Sequence, residues 1–120
     1  MGDLVVVRPP ARLADFLDCG GYLPAGVPLL KRVAALPGQR VCRTGSTVSI
    51  DGRSVAHALK KDRRGRPLPV WSGCLVLDRR SVFLLNSNRP DSLDGRYFGA
   101  LSSSTVVARA IPVWTEGGQR

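Results

Sequence analysis

The sequence predicts a mainly β domain, a barrel or sandwich of antiparallel hairpins with at most one or two short helices. Three observations carry this. Thirteen glycines and nine prolines punctuate 120 residues, which leaves little room for long helices. Short β-branched or alternating runs recur between those breakers. Asp51-Gly52 sits between two alternating segments, Thr47–Ile50 and Arg53–Val55, the strongest short-range hairpin signal. The length fits one domain, and 43% hydrophobic content allows a modest core.

Taken in order, Leu4–Val7 reads as a strand closed by Pro9-Pro10. Residues 11–18 place apolar side chains at 13, 14, 16 and 17, a short helix or helical turn ended by Gly20-Gly21. Tyr22–Pro28 is loop. Leu29–Leu36 is a strand, turned by Pro37-Gly38, and Gln39–Arg43 is the next. After the Asp51-Gly52 hairpin comes a basic loop, Lys60–Arg66. Leu68–Trp71, Cys74–Leu77 and Val82–Leu85 read as strands, followed by the polar segment Asn88–Gly99. Thr105–Ala110 and Ile111–Trp114 close the fold, so the domain spans 2–115, and 116–120 is expected to fray.

The formal charge of +9 favours anionic surfaces without choosing between nucleic acid and lipid headgroups. An aromatic content of 6% is thin for a base-stacking platform. Cys19, Cys42 and Cys74 contain no C-x-x-C, and His57 is the only histidine, so no metal or cofactor site is expected. An odd count allows one disulfide. The strands favour Cys42 with Cys74; the alternative is three buried thiols. No run approaches the roughly 20 apolar residues of a membrane span. No secretory signal is visible, since Met1-Gly2-Asp3 lacks basic residues. Read alone the chain looks soluble, and its abrupt strand-like start reads as the interior of a larger protein.

Lys31 lies in Leu29-Leu30-Lys31-Arg32-Val33-Ala34-Ala35-Leu36-Pro37-Gly38. A strand this apolar is expected to be buried on both faces, which puts its lysine either at the rim or inside for chemistry. Burial lowers a lysine pKa and yields the neutral amine a general base needs. The plainer reading is a strand-end lysine reaching into water, like Arg32. Three segments decide between these. Gly2-Asp3 followed by Leu4–Val7, then Leu30-Lys31-Arg32-Val33 with Leu36-Pro37-Gly38, then Asn88-Arg89, Ser92, Asp94, Arg96 and Gly99 occur in order across residues 2–99. Together they resemble three boxes of the type I signal peptidases. The patterns are K-R-V-x-G-x-P-G for the second and N-R-x-x-S-x-D-S-R-x-x-G for the third.

That resemblance implies the LexA/signal-peptidase-like antiparallel β fold, no cofactor, and Lys31 as general base of a Ser–Lys dyad. Ser92 would orient the amine, and Asp94 would pair with Arg96 or a neighbouring base to hold the loop beside it. Ser87 and Gly95 depart from the usual aspartate and serine of the third box. Leu23-Pro24-x-Gly26, Gly65–Pro69 and Asp94–Gly99 look most like the TraF-type peptidases of conjugative transfer. These act on a precursor protein or pilin peptide, some closing the pilin into a ring, at the periplasmic face of the bacterial inner membrane. The family's nucleophile is a serine upstream of the lysine, following a membrane anchor. Residues 1–30 hold neither Ser nor Thr, and Cys19 lies on the wrong side of the Gly-Asp box to replace it. The nucleophile is therefore expected in a segment truncated from this chain, which as given should not cleave peptides.

Lys60-Lys61-Asp62-Arg63-Arg64-Gly65-Arg66 is either a solvated loop or a contact for anionic lipid. Trp71 and Trp114 are core or interfacial residues, with core favoured for Trp71. Three rivals remain. A basic nucleic-acid-binding module rests on charge alone, and no specific nucleic acid is expected. A LexA-like autoprotease shares Ser and Lys chemistry but fits the third box less well. A catalytically dead β-rich binding module would make the missing serine native.

Overall fold

The computed structural model describes residues 2–24, 26–86 and 93–109. They form nine strands, two α-helices and one 3-10 turn. These are β1 (Leu4–Val7), α1 (Ala11–Cys19), β2 (Leu29–Ala35), β3 (Arg40–Thr44), β4 (Thr47–Ile50), β5 (Arg53–His57), β6 (Gly73–Val76), β7 (Ser81–Leu85), α2 (Gly95–Phe98), β8 (Leu101–Ser102), the 3-10 turn Ser103–Thr105, and β9 (Val106–Arg109). One sheet runs β8-β7-β2-β1-β9 and the other β5-β4-β3-β6. The strand pairings are antiparallel, as the hairpin signals predicted.

The Asp51-Gly52 turn joins β4 to β5 with both residues at positive φ, 51° and 83°. That is the type I′ arrangement whose twist suits two adjacent strands. The short helix forms where expected. It buries Leu17, with Leu13 half-buried beside it, and Phe16 stacks on Tyr22.

One expectation about burial is overturned. Leu29–Leu36 was expected to be buried on both faces, yet β2 alternates, and Leu30 is 52% exposed. An antiparallel sheet commonly keeps one face wet. The strand covered on both sides is β7. Val82 and Leu84 enter one core with Val5, Val7, Leu17, Leu29, Leu93 and Tyr97. Phe83 and Leu85 enter a second core with Ala35, Val41, Val48, Ile50 and Leu77.

The predicted strand Leu68–Trp71 is not one. Its neighbourhood holds only an isolated bridge from Lys61 to Pro67. Pro67 and Pro69 each lack an N–H, so a ladder cannot run through them. Helix α2 forms within the segment read as polar Asn88–Gly99, and the short strand β8 follows it. Thr105 belongs to the 3-10 turn, and β9 starts at Val106. The predicted strand Ile111–Trp114 and the tail 116–120 lie outside the described residues.

Cys42 and Cys74 stand opposite each other on β3 and β6, with Cα atoms 4.0 Å apart, and are joined as a disulfide. Cys19 is a free, exposed thiol, so the alternative of three buried thiols does not hold.

Candidate active site

Lys31 occupies the middle of the five-stranded sheet. On β2 it pairs with Val5 of β1, while the neighbouring residue Arg32 pairs with Leu85 of β7. The pleat sends Leu29 and Lys31 to the inner face and Leu30 and Arg32 outward. Only 5% of Lys31 is exposed. It lines a cleft of about 240 Å³ with Leu17, Tyr22, Leu23, Pro28, Leu29, Leu30 and Leu93. The walls are mostly hydrocarbon, and loss of hydration pushes the lysine pKa down from its ordinary value of 10.5. The Asp94 carboxylate pushes it back up, and the Arg96 guanidinium lowers it again. Of the three effects the loss of hydration is the largest and the guanidinium the smallest.

Asp94 and Arg96 are themselves buried, at 0% and 3% exposure. The sequence Asp94-Gly95-Arg96 supplies an N-cap to α2: Asp94 Oδ1 accepts from the Arg96 backbone N–H at 2.9 Å. The Arg96 side chain folds back onto the same carboxylate. Its Nε donates to Oδ1 and its Nη2 to Oδ2, both at 2.9 Å. The backbone N–H of Asn86, just past β7, donates to Oδ2 at 2.7 Å. Arg96 Nη1 also reaches the His57 carbonyl at 3.3 Å. This closes the open choice for Asp94: its partner is Arg96. The bidentate pair locks the guanidinium where its charge acts on Lys31.

Helix α2 fits against β7 only because residue 95 is glycine. A Cβ there would lie 2.7 Å from both the Leu84 carbonyl oxygen and the Phe83 ring. Trp71 Nε1 donates to the Gly95 and Arg96 carbonyls at 2.9 and 3.1 Å. Arg43 Nη1 donates to the Arg96 carbonyl at 2.6 Å, and its Nε to Gly45 at 2.9 Å.

The structure therefore brings together Lys31, Asp94 and Arg96. Ser92, with Asn88 and Arg89, lies outside the described residues. Sequence reasoning missed Arg43 altogether and read Trp71 as core or interfacial, with core favoured. Neither contact with α2 carries a local signal, since the partners on that helix are more than twenty residues away in the chain. Among the described residues, no group of His, Cys, Asp or Glu could hold a metal ion, and no helix is long and apolar enough to cross a membrane.

The basic loop has more order than a solvated charge run. Asp62 accepts from Tyr22 Oη at 2.6 Å, from Arg66 Nε at 2.7 Å, and from the backbone N–H groups of Arg64 and Arg66 at 2.9 Å. Arg66 lies over the Tyr22 ring and donates to the Gly20 carbonyl. The loop is thus tied to the residue that forms one wall of the lysine cleft.

The chain is similar to known proteins over most of its length. The family model for signal peptidase, peptidase S26, matches residues 1–115. A probable conjugal transfer protein TraF of Sinorhizobium fredii is 37% identical, over 96% of this chain and 64% of that protein. The conjugal transfer protein TraF of Agrobacterium tumefaciens is 40% identical, over 96% of this chain and 69% of its own length. The chain thus spans about two thirds of the length of these curated relatives. A crystal structure of a signal peptidase I from Enterococcus faecalis superposes with a TM-score of 0.52 at 24% identity, covering 91% of this chain and 93% of that one. The predicted signal-peptidase-like antiparallel fold is the one observed.

Proposed function

Since this chain belongs to the signal peptidase family, peptidase S26, we propose that it carries the general base of a Ser–Lys endopeptidase. Its substrate would be a secreted or pilin precursor of conjugative transfer. The observation that supports this most is the burial of Lys31 beside an Asp94–Arg96 pair that already neutralises the nearby carboxylate. In this reading the neutral Nζ takes the proton of an attacking serine hydroxyl. It then returns that proton to the leaving amine as the peptide bond breaks. Burial is the main effect that favours the neutral amine, and the fixed guanidinium adds to it.

The family's serine stands ahead of the lysine, and positions 1–30 contain neither Ser nor Thr, so in this reading a segment preceding these residues supplies it. The 120 residues alone bind the precursor without cleaving it. Ser92 orients the Lys31 amine. The full-length protein works at the periplasmic face of the inner membrane, where Lys60, Lys61, Arg63 and Arg64 contact anionic lipid. The relatives named for conjugal transfer support the link to conjugative transfer.

The test joins a serine-bearing segment of the family type ahead of this chain and follows cleavage of a precursor peptide by mass spectrometry. The joined protein should cleave. Lys31→Met should slow it by about 10²–10⁴-fold, the usual worth of a positioned base. Cleavage that survives Lys31→Met would overturn the assignment of the base. Cleavage by the 120 residues alone would overturn the assignment of an upstream nucleophile.

A further inference from the structure

Helix α2 is gripped by two side chains that do not belong to the sheet carrying Lys31. Arg43 comes from β3, directly after Cys42. Trp71 comes from the segment leading into β6, shortly before Cys74. Both donate to the Arg96 carbonyl, and Trp71 also to that of Gly95. The Gly95 carbonyl also accepts the Gly99 N–H, while the Arg96 carbonyl lies in the last turn of the helix, where backbone donors are scarce. Arg43 is 4% exposed, so its charge is spent on these carbonyl contacts rather than on water.

Among the described residues, the strand behind Trp71 is paired on one side: in the sheet order β5-β4-β3-β6, strand β6 has β3 as its neighbour. It is short and mostly exposed, and Cys74 is among its exposed residues. The Cys42–Cys74 bond is the covalent tie across that pairing.

We propose that Arg43 and Trp71 are positioning residues for the Lys31 site, and that the Cys42–Cys74 disulfide, by clamping edge strand β6 to β3, makes their grip on α2 depend on redox state. The proposal rests on the reading of Lys31 as the base. A dithiol reductant would open the clamp by ordinary exchange. One thiolate attacks an accessible sulfur and forms a mixed disulfide, and the second thiolate displaces the cysteine. Two electrons pass to the protein sulfurs, two protons complete the cysteine thiols, and the reductant leaves as its own disulfide. Strand β6 then keeps only its ladder to β3. Trp71 loses its fixed approach, α2 loosens, and the Asp94–Arg96 pair moves relative to Lys31, admitting water to the cleft.

The test follows the Lys31 amine by NMR in the oxidised chain, in the chain reduced by dithiothreitol, and in Trp71→Phe. The Lys31 signal is identified through Lys31→Arg. Among the described residues, Asp94 and Arg96 are charged groups that act on this amine, so their displacement reads out in its midpoint. The expected midpoint lies below 10.5 in the oxidised protein and moves up toward that value on reduction. Trp71→Phe keeps the ring against Phe83 and removes the donor, so it should shift the midpoint in the same direction without reduction. The Cys42→Ser/Cys74→Ser protein should match the reduced form and ignore dithiothreitol. If that variant or the reduced chain unfolds by circular dichroism, oxidised Trp71→Phe decides. A depressed midpoint indifferent to both the bridge and Trp71 overturns the clamp alone. An ordinary midpoint in the oxidised wild type overturns the base reading and the clamp with it.

Discussion

Arg96 closes on the Asp94 carboxylate from two directions, its backbone N–H and its guanidinium meeting the same group at 2.9 Å. Both residues are buried, so the pair is worth little as an isolated charge contact and a great deal as a matched set. Asp94→Asn keeps the shape and strands the guanidinium. It should cost about 3–5 kcal/mol, the usual penalty for breaking a buried pair. Arg96→Met should cost a similar amount, and the double variant much less than the sum. Urea unfolding of the four proteins measures this. Simple additivity would show that the pair does not act as a unit.

Gly95 gives a sharper structural test. In the resembled pattern this position is serine, and here the missing Cβ is where Phe83 and the Leu84 carbonyl press against α2. Gly95→Ala should lower stability by about 1–3 kcal/mol through overpacking. Phe83→Leu should not rescue it, because the Leu84 oxygen is main chain and cannot step aside. A Gly95→Ala protein that melts with the wild type would mean that α2 can move off β7 without cost.

Lys31 makes stability rise with pH in the alkaline range. Its folded pKa is lowered, mainly by burial. Between that value and 10.5 the folded state has released a proton that the unfolded state still binds. Unfolding takes up the proton, so each step up in pH favours the native state until the unfolded lysine also deprotonates. Below the window both states are charged, and the native state bears the full burial penalty. Lys31→Met should therefore be more stable than wild type at pH 7, with the advantage shrinking toward pH 10. Guanidinium unfolding at several pH values checks this, and parallel curves would contradict it.

What could be read in the sequence follows the range of the interactions involved. The Asp51-Gly52 hairpin, α1 and most strand positions are local, and turn chemistry with alternation found them to within a residue or two. Lys31, Asp94 and Arg96 were legible because ordered boxes carried them, although nothing in Leu29–Leu36 separates a buried lysine from an exposed one. The burial pattern was misjudged for a physical reason: apolar content does not say which strand lies between two cores, and that strand is β7 rather than β2. Arg43 and Trp71 were invisible in their role because a side chain reaching a distant carbonyl leaves no mark on its own neighbours in the chain.

The Tyr22–Asp62 bond extends the argument from the site to its surroundings. The Tyr22 hydroxyl is the largest reason the Asp62 carboxyl is held at about 2 rather than 3.8, followed, after the opposing effect of burial, by donors from Arg66 and Arg64. A carboxylate depressed in the folded state contributes stability above its unfolded value, and that contribution fades as pH falls through the folded one. The basic loop should thus stay docked at pH 4 and come away between about pH 4 and 2. Tyr22→Phe preserves the ring stacked on Phe16 and beneath Arg66, and deletes only the hydroxyl. Asp62 should then titrate closer to 3.8, and the loop should open at a correspondingly higher pH. Carboxyl ¹³C NMR reads the first change, and amide exchange at Arg64 and Arg66 the second. Because Tyr22 also walls the Lys31 cleft, opening of the loop should register in the chemical shifts of Leu17 and Leu93 across it. An Asp62 midpoint unchanged in Tyr22→Phe would show instead that Arg66 and the loop amides hold the carboxylate by themselves, and would leave the cleft wall independent of the basic loop.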